Sequence, residues 1–328
     1  MLDASVIICA HNPRPDYLGR ALDALCAQTL CKERWELLIV DNASASPLAP
    51  VWDLSWHVNG RHLVEKEVGL ALARQRAMKE ALSDLLIFVD DDNVLCADYV
   101  ARAVEIKKDW PILGVWGSGA IVPEFELQPT EYVKPLVPYL ALREVASPAW
   151  SNVFPCIEAT PWGAGLCARS NVAAAYCRSW QESLIHITGR RGKVLLSGED
   201  VELCYLACKV GLGIGLFPEL KVTHLISKER VAEDYLIRLF EGTGISNLLL
   251  AYKWQGQPPW FPLTGRGLLS LLKNLVLRSG IDRKMYLASV RAAIKARHII
   301  SEGLHQGGTE HDPKKRIPVF GERASTIG

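Results

Sequence analysis

Short apolar runs alternate with amphipathic stretches over the first third of the chain. The runs at 5–10, 35–40 and 85–89 are apolar except for Ser5 and Glu36 and are too short for helices, which is typical of strands buried on both faces. Between them, apolar residues recur at helical spacing and predict helices at about 16–29, 69–83 and 97–108. Apolar strands separated by helices indicate an α/β fold with a mostly parallel sheet covered on both faces.

The pattern changes after a further strand predicted at 114–122. The proline-rich stretch 123–155 has little periodicity, and we interpret it as a long loop and a candidate mobile flap. Strands and helices then resume, with strands at 163–168, 194–196, 214–217 and 220–224 and helices at 171–180 and 199–209. Beyond residue 229 the pattern is helical, with segments at 231–252, 267–278 and 283–302.

These patterns predict the domain organisation. A catalytic domain is expected at 1–228, with one half at about 1–122, a second half at about 156–228 and the proline-rich loop between them. A helical C-terminal region follows at 229–306. The polar tail 307–328 is predicted to be disordered.

Composition narrows the classes of protein that fit. The 328 residues are 49% hydrophobic, and 37 basic against 36 acidic side chains predict no general attraction to nucleic acid. The nine cysteines form no CxxC pair, which favours reduced thiols over a zinc site or disulfides. No apolar run reaches about 18 residues and no secretory signal is recognisable, so we expect a cytoplasmic protein.

Three consecutive aspartates, Asp90, Asp91 and Asp92, follow the third predicted strand. Ligands of α/β sheets bind at the carboxyl ends of the strands, where Asp41 also lies. Adjacent carboxylates repel one another, and alternate residues of an extended segment face the same side, so Asp90 and Asp92 suit one divalent cation. The alternative is an acidic cluster that precedes a helix N-terminus.

A second acidic pair, Glu199 and Asp200, opens the helix predicted at 199–209. Such a pair suits a general base at the edge of a loop, and it suits helix capping equally well. His224 ends an apolar strand and would favour Mn²⁺ over Mg²⁺ if it joined the carboxylates, although a lone histidine is more often a satisfied structural residue. The glycines at 211–215 follow a helix and precede a strand, the reverse of a dinucleotide-binding loop.

The order of these motifs resembles glycosyltransferase family 2, the inverting enzymes with a GT-A fold. The resemblance covers about residues 5–225 and rests on the segments SVIICAHN, VDNAS, EVGLALARQRAM, IFVDDDN, WGAGLCARS, SGEDVEL and THL. It implies a single Rossmann-like nucleotide-binding domain that moves a sugar from a nucleoside-diphosphate sugar to an acceptor hydroxyl. It further implies a role in bacterial surface polysaccharide or glycoconjugate synthesis.

The resemblance also implies roles for individual residues. On the donor nucleotide side it places Ala10, His11, Asn12, Asp41, Arg74 and Asp91. A divalent metal, Mn²⁺ or Mg²⁺, would be held by Asp90, Asp92 and His224. On the acceptor side it places Trp162, Gly163 and Glu199, with Asp200 as the catalytic base. Gln75 departs from the asparagine that is common at this position in the family.

Two other functions fit parts of the pattern. A metal-dependent sugar-phosphate nucleotidyltransferase would use similar carboxylates, but its glycine-rich basic phosphate loop is missing, since HNPRP offers only Arg14. A catalytically silent nucleotide-sugar-binding protein would not need the intact Glu199–Asp200 pair. UDP, GDP and dTDP donors all suit an aspartate beside the base, and the acceptor is expected to be a sugar or a lipid-linked glycan.

The segment 267–278 concentrates apolar side chains beside basic ones. The apolar residues are Leu268, Leu269, Leu271, Leu272, Leu275 and Val276, and the basic neighbours are Arg266, Lys273, Arg278, Arg283 and Lys284. Two interpretations fit this pattern. The helix packs against the catalytic domain or a second subunit, which is the commoner case, or it contacts the inner face of the membrane where a lipid-linked acceptor lies.

Overall fold

A ten-stranded mixed sheet forms the centre of the molecule in the computed structural model, which describes residues 2–191, 194–260 and 265–307. The strands are β1 (Ala4–Ala10), β2 (Trp35–Asn42), β3 (Gly60–Glu65), β4 (Leu85–Val89), β5 (Asn93–Leu95), β6 (Leu113–Phe125), β7 (Arg143–Glu144), β8 (Ala149–Ser151), β9 (Leu166–Arg169), β10 (Arg190–Arg191), β11 (Val194–Leu195) and β12 (Gly213–Ile226). β10 and β11 pair separately as a small antiparallel ribbon.

Eight helices accompany the strands within the described residues. They are α1 (Pro15–Cys26), α2 (Leu70–Glu80), α3 (Tyr99–Asp109), α4 (Ser170–Glu182), α5 (Glu199–Lys209), α6 (Glu233–Gln255), α7 (Gly265–Leu277) and α8 (Gly280–Gly307). A proline at the first position of α1 suits a helix start, because that position needs no backbone donor.

The strand order is β3-β2-β1-β4-β9-β6-β12-β5. The first four strands are parallel, and β9 is antiparallel to both of its neighbours, β4 and β6. Because β12 is parallel to β6, six strands of the path run in one direction, as expected for a mostly parallel sheet. The carboxyl ends of β1, β2 and β4 therefore meet at one edge, with Ala10 opposite Asp41.

Alternate residues of the buried strands face two separate cores. In β1, Val6 and Ile8 face α1 and α3, whereas Ile7 belongs to the core beneath α2, α4 and α5. In β4, Ile87 and Phe88 divide in the same way. This alternation explains why these strands are apolar at almost every position, since both faces are covered by helices.

The proline-rich stretch is more ordered than the sequence predicts. β6 continues to Phe125, a 3-10 helix spans Glu131–Leu140, and β7 and β8 pair with β6 and β12. The expectation of a loop over 123–155 is therefore wrong. Strands of two or three residues and a 3-10 helix interrupted by Pro135 and Pro138 leave no periodicity in the sequence.

Of the last three helices, α6 and α8 pack against the sheet domain. Leu236 and Leu239 of α6 contact the 3-10 helix at Glu131–Leu140, and α6 also packs against α8. A buried ion pair joins Lys253 of α6 to Glu202 of α5, so the helical region is tied to the helix that carries the second acidic pair. The proposed boundary at 228 stays a prediction, and residues 308–328 of the predicted tail lie outside the described residues.

None of the described helices is long and apolar enough to cross a membrane. All nine cysteines are free thiols, and Cys167 and Cys204 are buried.

Candidate donor and catalytic site

The turn after β1 is joined to the turn after β2 by side-chain hydrogen bonds. His11 Nδ1 donates to the carbonyl oxygen of Asn42 over 2.7 Å. The backbone N–H of Asn12 donates to Ser44 Oγ over 3.0 Å, and Asn12 has a left-handed backbone (φ 49°), which asparagine tolerates better than most residues. These contacts fix the two turns as one ledge at the carboxyl edge of the sheet.

Asp41 shapes the same ledge from within. Its Oδ1 accepts the N–H of Ser44 over 2.9 Å and its Oδ2 accepts the N–H of Leu48 over 3.0 Å. Burial raises the pKa of Asp41, but the hydrogen bonds from Ser44 and Leu48 outweigh burial and leave that pKa below its ordinary value. Asp41 is thus an ionised carboxylate that holds the loop beside Ala10, which is itself buried at the end of β1.

Arg74 connects the donor side of the site to the second acidic pair. It projects from α2 and is 3% exposed, and its Nη1 donates to Glu199 Oε1 over 3.0 Å while its Nη2 donates to Asp90 Oδ1 over 3.2 Å. Burial lowers the pKa of Arg74, but the carboxylates of Glu199, Asp90 and Asp200 raise it above the ordinary value. Arg74 is therefore a fixed positive charge between Asp90 and the pair Glu199–Asp200, which lies 109 and 110 positions further along the chain.

Glu199 is buried at the first turn of α5. Its Oε2 has no hydrogen-bond partner among the described residues. Burial raises the pKa of Glu199 to about 6, although the charge of Arg74 opposes that rise. A buried carboxyl of this kind stays ionised near neutral pH because Arg74 is beside it.

Asp200 is held by backbone donors on both carboxylate oxygens. Its Oδ2 accepts the N–H of Gly163 over 2.8 Å, and its Oδ1 accepts the N–H of Val201 over 2.8 Å. A Cβ at Gly163 would lie 2.9 Å from Arg74 Nη2, so a larger residue there would displace the Arg74 guanidinium. The structure thus brings Asp90, Arg74, Gly163, Glu199 and Asp200 into one cluster.

Trp162 lies against Arg143 rather than in the carboxylate cluster. The Arg143 guanidinium lies 3.7 Å from the centroid of the Trp162 ring, and it donates to the carbonyl oxygen of Thr160. Burial lowers the pKa of Arg143 to about 10, so the side chain is still charged at neutral pH. Arg143 was not recognised from the sequence, because it lies in the stretch that shows no periodicity.

Asp92 and His224 meet where β5 pairs with the end of β12. The ladder places His224 opposite Asn93, and His224 Nε2 lies 3.4 Å from Asp92 Oδ2. A third side chain, Arg230, lies between them: its Nη1 is 2.5 Å from Asp92 Oδ2 and 3.0 Å from His224 Nε2. Burial lowers the pKa of Arg230, but the charge of Asp92 raises it overall.

Asp91 borders a cavity that Asp92 also lines. It lines a cavity of about 210 Å³ at the carboxyl edge, together with Asn12, Arg14, Tyr17, Asp92 and Arg230. The cavity joins the ledge after β1 to the Asp92–His224 pair. Its volume suits the diphosphate part of a nucleotide better than a whole nucleotide sugar.

The donor set of the Asp92–His224 pair fits a divalent cation in part. No group of three or more His, Cys, Asp and Glu side chains in the described part of the chain is arranged to hold a metal. A carboxylate and an imidazole nevertheless converge on one point, and a cationic nitrogen of Arg230 already lies at that point. Two protein ligands completed by phosphate oxygens and water are a common way to hold Mg²⁺ or Mn²⁺.

Arg230 was missed in the sequence because nothing in the local pattern marks it. It follows His224 by six residues and lies in a one-turn 3-10 helix, Lys228–Val231, where the apolar period gives no information. The only available signal was a basic residue soon after a histidine that ends a strand. That signal is too common to single out one residue.

Comparisons with known proteins agree with the fold. Residues 5–138 match the sequence model of Glycosyl transferase family 2. The uncharacterised glycosyltransferase YfnE of Bacillus subtilis (strain 168) is 29% identical over 119 residues, which are 35% of this chain and 30% of that protein. The chain therefore aligns with less than a third of the length of this relative.

Two solved structures share the architecture. S. aureus TarS 1–349 superposes with a TM-score of 0.50 and 16% identity over 92% of each chain, and it has also been crystallised with UDP-GlcNAc. The mannosyltransferase PcManGT of Pyrobaculum calidifontis, in complex with GDP-Man and Mn²⁺, gives a TM-score of 0.51 and 16% identity over 94% of this chain and 76% of that one. At this identity the likeness concerns the fold.

Proposed function

We propose that this chain, whose residues 5–138 belong to Glycosyl transferase family 2, transfers a sugar from a nucleoside-diphosphate sugar to an acceptor hydroxyl with inversion at the anomeric carbon. One observation carries the proposal. Arg74 links Asp90, at the end of β4, to Glu199 at the start of α5, so that a donor-side carboxylate and the Glu199–Asp200 pair belong to one ion-paired cluster. Glycosyl transfer needs a site for the departing nucleoside diphosphate close to a base that accepts the proton of the acceptor hydroxyl.

Asp200 is the general base in this proposal. Its carboxylate is oriented by the N–H groups of Gly163 and Val201, and it lies in the first turn of α5. Asp200 accepts the proton of the acceptor hydroxyl as that oxygen attacks the anomeric carbon. The bond from the anomeric carbon to the diphosphate oxygen breaks on the opposite side, and the nucleoside diphosphate leaves.

Arg74 and Glu199 act as positioning residues. Glu199 is too deeply buried to serve as an exposed base, and Arg74 is enclosed by carboxylates and the ring of Phe88. Their ion pair holds α5 against α2 and so fixes the distance between Asp90 and Asp200. This role differs from the one expected from the sequence, which placed Arg74 on the donor nucleotide side and Glu199 on the acceptor side.

Asp92 and His224 would hold a divalent metal, Mn²⁺ or Mg²⁺, with Asp90 nearby. Bound there, the metal would neutralise charge that develops on the departing diphosphate. The imidazole of His224 favours Mn²⁺ among the two. The Mn²⁺ present in the PcManGT complex supports the same choice.

The donor nucleotide binds along the ledge after β1 and β2. His11, Asn12 and Asp41 would meet the nucleoside, and Asp91 would face the ribose or the sugar from the cavity wall. UDP and GDP are the leading candidates because solved relatives of this fold carry UDP-GlcNAc and GDP-Man. On the acceptor side, the Arg143–Trp162 stack offers an aromatic face with a fixed positive charge.

A thermal-shift panel tests the donor site. The purified chain is heated with UDP, GDP, dTDP, CMP, NAD or ATP, each with Mn²⁺, Mg²⁺ or EDTA. We expect one nucleoside diphosphate to raise the Tm in a metal-dependent way, since a ligand that binds only the folded state stabilises it by mass action. Stabilisation by ATP or NAD alone would contradict the proposal, and pyrophosphate release from a triphosphate would favour a nucleotidyltransferase.

Besides the donor nucleotide, we propose a binding partner for the exposed apolar face of α7. Leu268, Leu269, Leu272 and Val276 fall within about 100° of the helix circumference, since successive residues turn by about 100°. They are 47%, 70%, 54% and 79% exposed, so the packing expected against the catalytic domain does not cover these side chains. We call these four residues the α7 stripe.

The charge around the α7 stripe favours an anionic lipid surface as its partner. Residues 256–281 contain Arg266, Lys273 and Arg278 and no acidic residue. The exposed Trp260 precedes the helix, and tryptophan is a common residue at membrane interfaces. A glycosyltransferase at such a surface would act on a lipid-linked glycan, which suits a role in bacterial surface polysaccharide or glycoconjugate synthesis.

Vesicle co-sedimentation tests this partner. We expect wild-type protein to sediment with vesicles that contain anionic phospholipid and not with phosphatidylcholine alone, and Leu272→Glu to abolish sedimentation. Val58→Glu, at a valine 68% exposed elsewhere on the surface, should sediment like the wild type. Failure to sediment with anionic vesicles would refute the lipid surface, and a dimer dissolved by Leu272→Glu would identify a second copy as the partner.

A further inference from the structure

Arg230 lies at the point on which the expected metal ligands converge. Its Nη1 is 2.5 Å from Asp92 Oδ2 and 3.0 Å from His224 Nε2, while those two ligand atoms are 3.4 Å apart. The side chain of Arg230 is 13% exposed, that of Asp92 is 15% exposed and that of His224 is 6% exposed, so little solvent separates them. A guanidinium nitrogen therefore occupies the position that a bridging cation would need.

A cation and Arg230 cannot share this position. A metal bound by Asp92 and His224 needs the lone pairs that now accept hydrogen bonds from Arg230. Two positive charges at such short distance would also repel each other strongly in a poorly solvated site. Metal binding therefore requires the Arg230 side chain to leave.

The surroundings of Arg230 permit that movement. Arg230 sits in the one-turn helix Lys228–Val231 that follows β12, and its buried Nε has no hydrogen-bond partner among the residues that the structure describes. The side chain also borders the cavity of about 210 Å³ beside Asn12 and Asp91. A guanidinium that turns away from Asp92 thus has an adjacent space in which to place its charge.

We propose that Arg230 is the internal counter-cation of the metal site, which excludes metal from the nucleotide-free protein and releases the site when a nucleoside diphosphate arrives. The inference rests on the proposed function. A diphosphate in the cavity gives Arg230 a new anionic partner and supplies oxygen ligands to the metal. Nucleotide and metal therefore bind with positive coupling, and each increases the affinity of the other by the same factor.

The test is a titration with Mn²⁺, followed by the electron paramagnetic resonance signal of the free ion. Wild-type protein, Arg230→Met and Arg238→Met are titrated without nucleotide and again with UDP or GDP at saturation. Arg238 is a surface arginine of α6 that pairs with Asp234, so its variant controls for the loss of one positive charge. Metal binding is read directly, and no acceptor or turnover is needed.

Without nucleotide, we expect Arg230→Met to bind Mn²⁺ about tenfold more tightly than wild type, because Asp92 loses its competing cation. With nucleotide, the gain in Mn²⁺ affinity should be large for wild type and Arg238→Met and at least about fivefold smaller for Arg230→Met. Arg230→Lys retains the charge and should lie closer to wild type, which also covers the case in which Arg230→Met fails to fold.

The outcomes separate this inference from the proposed function. Equal or weaker Mn²⁺ binding by Arg230→Met without nucleotide overturns the counter-cation role, even if nucleotide and metal still bind together. Equal coupling in wild type and Arg230→Met overturns the release of the site by the diphosphate. If no variant binds Mn²⁺ with either nucleotide, both the metal site and the inference fail.

Discussion

Arg74 illustrates how a single buried charge organises the site. Its two carboxylate partners, Glu199 and Asp90, come from different elements, and Glu199 is buried as deeply as the arginine. Removing one partner of a buried pair leaves the other without compensation, and this costs more than the loss of an exposed ion pair. The proposed positioning role of Arg74 is therefore combined with a structural one.

We predict that Arg74→Met lowers the free energy of unfolding by about 3–5 kcal/mol, because it leaves the Glu199 carboxylate buried and unpaired. Arg76→Met, two residues along α2, removes only the exposed ion pair with Glu80 and should cost less than about 1 kcal/mol. Urea denaturation at pH 7 measures both variants. Equal losses for the two would contradict the burial and pairing of Arg74.

The raised pKa of Glu199 predicts a pH-dependent difference in stability. Its folded pKa of about 6 lies above the ordinary 4.5, so the folded state binds this proton more tightly than the unfolded chain. The stability that this group contributes is therefore complete below pH 4.5 and is lost as the pH rises to about 6. Glu199→Gln does not titrate and lacks this loss.

The stability of Glu199→Gln relative to wild type should accordingly improve by about 2 kcal/mol between pH 4.5 and pH 7, at 1.36 kcal/mol per pKa unit. Denaturation curves of both proteins across this range provide the measurement. The exposed Glu182→Gln serves as a control and should show no comparable trend. A relative stability that worsens with rising pH would mean that Arg74 outweighs burial.

At the scale of elements, the position of the Glu199–Asp200 pair depends on how α6 packs against β11. Gly242 of α6 lies against the backbone of Leu195, and a Cβ there would be 2.1 Å from the Leu195 carbonyl oxygen. Ser246, one turn further along α6, accepts the N–H of Ser197 on its hydroxyl. Residues 195–198 lead directly into Glu199, so α6 fixes the entry to α5.

We predict that Gly242→Ala displaces β11 and lowers kcat by about tenfold or more, because a shift of about 1 Å in catalytic geometry can cost up to a hundredfold. The free energy of unfolding should fall by about 1–3 kcal/mol, as is typical of overpacking. Gly244→Ala, whose Cβ would meet only the Cβ of Ala292 at 3.2 Å, is the matched control and should do less. Equal kcat in both variants would contradict the link.

Long, uniformly apolar elements could be predicted from the sequence, and short or half-buried ones could not. The predicted bounds of β4 and α5 agree with the structure, because each has a clear apolar pattern and a sharp boundary. β3 was missed because it is an edge strand of intermediate burial, and β5 because three residues carry no period. β12 was predicted as two strands because a register shift between Phe217 and Lys221 interrupts it.

The same limit applies to the site. Asp90, Asp200 and His224 could be singled out because they end a strand or begin a helix, and ligands of such sheets bind at those points. The ion pairs of Arg74 depend on long-range contacts 16 and 125 residues apart, which no local pattern contains. Arg230 and Arg143 become visible only when the fold brings them back to Asp92 and Trp162.

At the scale of the whole molecule, three neighbouring groups of residues carry the proposed function. We propose that the ledge after β1 and β2 receives the nucleotide, that the Asp92–His224–Arg230 group controls the metal, and that the Arg74–Glu199–Asp200 cluster carries out the transfer. The α7 stripe lies outside these and would bring the molecule to its acceptor. Each proposed role has its own experiment, so a negative result for one role does not refute the others.

The central claim is that Asp200 removes the proton of the acceptor while other residues bind the donor. The most direct measurement compares wild type and Asp200→Asn for two quantities: the affinity for the diphosphate identified by thermal shift, and the rate at which that diphosphate is released from its sugar donor with Mn²⁺. We predict that the release rate falls by about 10²–10⁴-fold while nucleotide affinity stays within about threefold of wild type. Retained release, or loss of nucleotide binding with the rate, would contradict the assignment of Asp200 as the base.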